Sequence, residues 1–244
     1  MYLISYGTRP ELIKLFPLIN IFKENNIDHK TIFTGQHEDL IKEFENLTHR
    51  PDFVLEKTMK HKQSINSLIY KIINESQKII NSYDCKVIIQ GDAASSFAVA
   101  LSAFNEGKEV IHVEAGLRTH NLRSPFPEEG FRKMISHISN IHFCPTIKSV
   151  ENLKNEGITE NVHLVGNTIV DSCAQIIEKG ESSDYLNELI SSNDDYYLCT
   201  LHRRENINNF QSMWEQLNQI SENKTIIYIK HPSCLLYTSD AADD

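Results

Sequence analysis

Short apolar runs alternate with longer amphipathic segments along most of this chain. Strand-like runs occupy Tyr2–Tyr6, Lys30–Thr34, Lys86–Gln90, Glu109–Val113, Ile141–Cys144 and Val162–Val165. Helical periodicity covers Glu11–Glu24, Glu38–Leu47, Ser64–Ser82, Ala94–Asn105, Glu129–Ser139, Lys148–Glu156 and Thr168–Lys179. A strand, a loop, a helix and another strand, repeated in that order, predict βαβ units and a mostly parallel sheet. Strands covered on both faces read as continuous apolar runs, as Val87-Ile88-Ile89 and Val110-Ile111 do. The fold class predicted is α/β, with a doubly wound, Rossmann-like domain over residues 1–179.

The rhythm breaks at Gly180–Asp195, GESSDYLNELISSNDD, which is polar at both ends and reads as a linker. A second Rossmann-like domain is predicted to start at 196, with strand Tyr196–Thr200, a loop from His202 to Glu205, helix Asn209–Ser221 and strand Thr225–Ile229. The last segment, Cys234–Asp244, reads CLLYTSDAADD. It matches the back-translation of a transposase adaptor used in sequencing libraries. Residues 234–244 are therefore expected to be a non-native tail, and the second domain, 196–233, to be incomplete.

Composition narrows the function. The 244 residues are 40% hydrophobic, enough for a sizeable core, and carry a formal net charge of -9. Such a balance argues against nonspecific binding to nucleic acid or to an anionic membrane. An anionic ligand would need a local cluster of cations. The five cysteines are scattered with no CxxC pair, which favours buried free thiols over a metal site. With no signal-type leader and no apolar run of bilayer length, a cytoplasmic protein is expected.

Ligands of parallel α/β sheets sit at the carboxyl ends of the strands. The residues just after the strands are Gly7-Thr8-Arg9-Pro10-Glu11 with Lys14 one turn on, Gly35-Gln36-His37, Gly91-Asp92, Glu114-Ala115-Gly116-Leu117-Arg118 and His202-Arg203-Arg204-Glu205. Each tip carries a glycine, a charge or both. Together they predict one polar cleft lined by Arg9, Lys14, Asp92, Glu114, Arg118 and His202. Glycine lets the backbone approach a ligand, and helix N-termini with Arg or Lys suit phosphate. Opposed carboxylates suit proton transfer. Each residue alone has a plainer reading: Arg9 as a partner of Glu11, Asp92 as a helix N-cap, Glu128 and Glu129 as first-turn acids, His142 as a core residue, His202-Arg203-Arg204 as a solvated loop.

The joint pattern resembles one family. Gly7-Thr8-Arg9-Pro10-Glu11 with Lys14, Gly91-Asp92, His112–Thr119 (HVEAGLRT), Ser124–Glu129 (SPFPEE), Val165-Gly166-Asn167-Thr168 and His202–Asn206 look like the non-hydrolysing UDP-N-acetylglucosamine 2-epimerases. The resemblance implies a two-domain glycosyltransferase-B-type fold. It also implies an isomerase that interconverts UDP-N-acetylglucosamine and UDP-N-acetylmannosamine without metal or nicotinamide, through loss of UDP to 2-acetamidoglucal and re-addition. By matched motif, Asp92, Glu114 and Glu128 are the acid/base carboxylates, His202 holds the leaving UDP, and Arg9 and Lys14 bind substrate. A second UDP-N-acetylglucosamine that activates some members would meet Gln36, Lys62 and His231. A homodimer, a UDP-sugar as partner and a role in envelope polysaccharide synthesis are further expectations.

The sequence departs from the family pattern at three places. Lys62 stands where arginine is usual, so charge is kept but bidentate phosphate contact is lost. Ala93 and Ala94 replace threonines. The family's glycine-rich uridine-binding segment does not follow Pro232, so this polypeptide is expected to bind UDP-sugars poorly and turn over little. Rival readings are a sister epimerase on a modified sugar such as a diacetamido uronic acid, a hydrolysing epimerase, and a glycosyltransferase-B-type sugar-nucleotide binder. The SPFP spacer and the three aligned carboxylates favour the plain 2-epimerase.

Overall fold

A computed structural model describes residues 1–35, 50–55, 63–180, 184–192, 195–201 and 209–229. The chain divides into two compact units, Met1–Lys179 and Gly180–Asp244.

In the first unit the described strands are β1 (Tyr2–Tyr6), β2 (His29–Phe33), β3 (Phe53–Val54), β4 (Lys86–Gln90), β5 (Val110–Val113), β6 (Ile141–Cys144) and β7 (Val162–Leu164). They form one sheet in the order β3-β2-β1-β4-β5-β6-β7, and every neighbouring pair is parallel. The helices between them are α1 (Arg9–Glu24), α2 (Ile65–Asn81), α3 (Ala94–Asn105), α4 (Glu128–Ile138), α5 (Ile147–Asn155) and α6 (Ile169–Lys179). The predicted parallel α/β architecture is therefore present. The short edge strand β3 is an addition to the predicted set: two residues are too few for periodicity to register. The predicted helix Glu38–Leu47 lies outside the described residues.

Strand residues alternate between two apolar layers, as the pleat requires. Leu3, Val87 and Ile89 face one layer with Leu68 and Ile72 of α2, Ala98–Ala100 of α3, and Phe131 and Ile135 of α4. Ile4, Tyr6 and Ile88 face the other with Leu12, Leu15 and Ile19 of α1. Helix α6 packs on α1, where Ser172 hydrogen-bonds the Ile13 carbonyl. The chain runs outward from β1 in both directions across the sheet. The strand order thus reverses between β1 and β4, the crevice where such sheets take ligands at their carboxyl ends.

In the second unit, α7 (Asp184–Ser191) is a helix inside the stretch predicted as a linker. Its Tyr185, Leu186, Leu189 and Ile190 recur at helical spacing, a short pattern that the flanking polar residues mask. Strands β8 (Tyr196–Thr200) and β9 (Thr225–Ile229) pair in parallel, joined through α8 (Phe210–Ser221). Trp214 of α8 stacks on Phe210 and meets Tyr228 of β9 edge-on. No helix among the described residues is long and apolar enough to cross a membrane.

Candidate active site

Two polar clusters meet at the tip of β4. The first surrounds Glu114, the residue after β5. Lys14, on the second turn of α1, places Nζ 2.7 Å from both carboxylate oxygens. Gln90, the last residue of β4, donates to Oε2 at 2.6 Å, and Asn167, in the loop after β7, donates to Oε1 at 2.8 Å. The carboxylate is 11% exposed. Glu114 itself adopts a left-handed backbone, φ +66°, a conformation that costs a non-glycine residue about 1–3 kcal/mol and collects at functional sites. The turn aims the side chain back over β4 instead of letting it continue along the strand.

The second cluster surrounds Asp92. Arg132 of α4 donates from Nε to Asp92 Oδ2 at 2.5 Å and from Nη1 to Glu129 Oε2 at 3.2 Å. Glu129 is fully buried and also accepts the Thr119 and His120 N–H groups, each at 3.0 Å. Burial alone would raise its pKa; the two N–H groups and Arg132 more than offset this and hold it below the usual carboxylate range. Gly91 joins the two clusters. Its φ is +71°, and a Cβ there would lie 3.8 Å from Glu114 Oε2. Its carbonyl accepts from His112 Nε2 at 2.8 Å. That bond fixes the proton of the buried imidazole on Nε2, and burial pushes its pKa down to about 3.

The Gly7-Thr8-Arg9 tip is built by Glu11. Its buried carboxylate accepts the Gly7 and Thr8 N–H groups at 2.9 and 2.6 Å, and Thr8 closes a capping box on α1. The other oxygen meets the Ser95 and Ser96 hydroxyls of α3. Desolvation raises the pKa of Glu11. Glu11 is thus a scaffold for the loop and is held by its own backbone, while Arg9 is exposed at the helix start.

The structure brings together Lys14, Asp92 and Glu114 of the predicted set. It gives Arg118 different company. Its side chain is fully buried, bound to Glu156 at 2.7–3.2 Å and to Ser136 Oγ at 2.9 Å. That ion pair ties the loop after β5 to α4 and the end of α5, and it supplies no contact with the Glu114 cluster. Asp92 does not cap α3: the N-cap is Ala93, with no side-chain hydrogen bond. Glu128 opens α4 half-buried, and no hydrogen bond or ion pair to it is found among the described residues. His142 is a core residue whose Nδ1 is buried without a partner. His202, with Arg203, Arg204 and Glu205, and the predicted activator residues Gln36, Lys62 and His231 lie outside the described residues.

The sequence reading gave no role to Gln90 or Arg132; it set Asn167 only within a motif and Glu129 only as a first-turn acid, a place that Glu129 does occupy. Gln90 had one signal, a polar residue closing an apolar strand. Arg132 had another, its place three and four residues after an acidic pair on a helix.

The parallel α/β domain carries two carboxylate clusters beside its strand-order reversal, the position where such sheets take ligands. Residues 20–235 match the family model described as UDP-N-acetylglucosamine 2-epimerase, and the chain belongs to that family. It is 36% identical over 245 residues to a UDP-N-acetylglucosamine 2-epimerase of Campylobacter jejuni, covering 94% of this chain and 64% of that protein. It is 37% identical to the one of Methanocaldococcus jannaschii, covering 94% and 65%. The crystal structure of the Neisseria meningitidis enzyme bound to UDP-GlcNAc is similar with a TM-score of 0.86 at 31% identity, covering 95% of this chain and 66% of that one. The chain spans about three fifths of the length of the curated relatives it matches.

Proposed function

We propose that the protein carrying this chain interconverts UDP-N-acetylglucosamine and UDP-N-acetylmannosamine at C2. The supporting observation is the meeting of the Glu114 and Asp92 clusters on the β4 tip, beside the strand-order reversal where a sugar nucleotide would lie. Two relatives are named for this epimerisation, and the Neisseria structure holds UDP-GlcNAc.

In the proposed reaction a carboxylate takes the C2 proton. The C2–H electrons form the C1=C2 bond, the C1–O bond breaks, and UDP leaves with that electron pair, giving 2-acetamidoglucal. UDP then re-adds at C1 while a proton is delivered to C2 on the opposite face. Asp92, Glu114 and Glu128 are the candidates for the proton transfers, each step of this kind being worth ~100- to ~10,000-fold. Arg9 and His202 are the candidates to hold the diphosphate as its charge grows. The Gly7 and Thr8 N–H groups are already taken by Glu11. Arg118 is assigned to holding the loop after β5.

The same reading includes two Rossmann-like domains divided near residue 180, a homodimer, a cytoplasmic location, and a second UDP-sugar as activator at Gln36, Lys62 and His231. The test is proton NMR of the full-length protein with UDP-N-acetylglucosamine in deuterated water. UDP-N-acetylmannosamine carrying deuterium at C2, with no free sugar, is the expected result. An intact substrate with no deuterium at C2 would refute the reading.

A further inference from the structure

Three acids lie around the start of α4: Asp92 opposite the helix, and Glu128 and Glu129 in its first turn. Arg132 follows one turn later, at helical spacing from both glutamates. It binds Asp92 and Glu129, and no contact to Glu128 is found among the described residues. Its two bonds leave from different nitrogens, Nε and Nη1, so the planar guanidinium fixes an angle as well as a distance.

The support behind Arg132 is rigid. Phe131 stacks on Phe97 of α3 with centroids 4.9 Å apart, and Ile135 is fully buried one turn on. On the far side, Glu129 is bound to the Thr119 and His120 backbone. Arg132 thus connects the Asp92 loop, helix α4 and the segment leading into the SPFP turn.

We propose that Arg132 is a positioning residue for the C2 chemistry, holding the Asp92 carboxylate at a fixed place and angle while leaving Glu128 outside the ion pair. The inference rests on the epimerase reading given above. It separates two acids of the site by their surroundings: Asp92 is clamped, Glu128 is not. Misplacing a reacting group by about 1 Å costs on the order of 100-fold in rate.

The experiment compares wild-type, Arg132→Ala and Arg132→Lys full-length protein for kcat, KM and C2 deuterium incorporation, and solves the crystal structure of Arg132→Ala. In the alanine variant kcat is expected to fall about 10- to 100-fold with KM close to wild type, and added guanidinium to restore part of it. Lysine keeps the charge but not the two-nitrogen geometry, so it is expected to remain slow. The Asp92 carboxylate is expected to shift in the crystal. A wild-type kcat in Arg132→Ala, full activity in Arg132→Lys, or a loss that guanidinium does not relieve and that follows a lowered melting temperature would overturn the proposal. If wild-type protein shows no exchange at C2, the epimerase reading fails. The crystal structure then decides Arg132 by itself: a displaced Asp92 upholds the clamp, and an unmoved Asp92 overturns it.

Discussion

Lys14 sits 2.7 Å from both oxygens of Glu114, so its ammonium is spent on a carboxylate one hundred residues away in sequence. The sequence places Lys14 among the substrate-binding groups, where its loss would raise KM. The observed pairing makes it a partner of Glu114. Lys14→Met is expected to lower the C2 exchange rate by about 100-fold or more, in the range seen when a charge-stabilising group is removed, with the larger effect on kcat. Steady-state kinetics of the full-length protein separate the two: a rise in KM with kcat unchanged would assign Lys14 to the ligand.

His112 predicts an acid-sensitive fold. Burial lowers its pKa to about 3, and His142 beside it on β6 falls to about 4 for the same reason. In the unfolded chain both imidazoles take up a proton below about 6.5. The unfolded state therefore binds more protons between about 6.5 and those lowered values, and stability falls as pH drops through that window. His112→Gln keeps an N–H donor for the Gly91 carbonyl and does not titrate. Urea unfolding at pH 7.5 and 5.5 is expected to show a pH-dependent loss smaller by about 1 kcal/mol in this variant.

Glu11 predicts the opposite slope. The Ser96 hydroxyl has one proton and two acceptors, Glu11 Oε1 and the Gln90 carbonyl at 2.7 Å. A protonated Glu11 resolves this by donating to Ser96, which then donates to Gln90. Its pKa is raised by desolvation, so its stabilisation is complete in acid and is lost as pH rises through the raised value. Glu11→Gln is expected to remove that loss, while Glu11→Ala orphans the Gly7 and Thr8 N–H groups at about 1–3 kcal/mol. Denaturation midpoints from pH 5 to 8 for both variants are the measurement.

Gly116 predicts intolerance in the HVEAGLRT segment. Its φ is +82°, and a Cβ would fall 2.3 Å from the Ser149 backbone oxygen. Asn152 Nδ2 holds the Gly116 carbonyl at 2.9 Å, so the backbone has no room to move away. Gly116→Ala is expected to destabilise by more than about 2 kcal/mol. A melting temperature within a degree of wild type would contradict this.

What the sequence determined by itself was local and periodic. Short continuous apolar runs and longer amphipathic segments place Tyr2–Tyr6, Lys86–Gln90 and Ala94–Asn105 directly. The carboxyl-end rule then selects Asp92 and Glu114 as tip residues, because in a parallel sheet every strand ends on the same edge. The chemistry of partners was not legible. Arg118 and Arg132 are both arginines near acids, and only packing decides that one is buried on Glu156 and the other reaches Asp92. Glu128 and Glu129 are adjacent and identical in type, yet a helix separates neighbours by about 100°, so one is fully buried under Thr119 and the other is not. Contacts between residues as distant as Lys14, Gln90, Glu114 and Asn167 carry no periodic signal, because the sheet order that unites them exists only once the chain has folded.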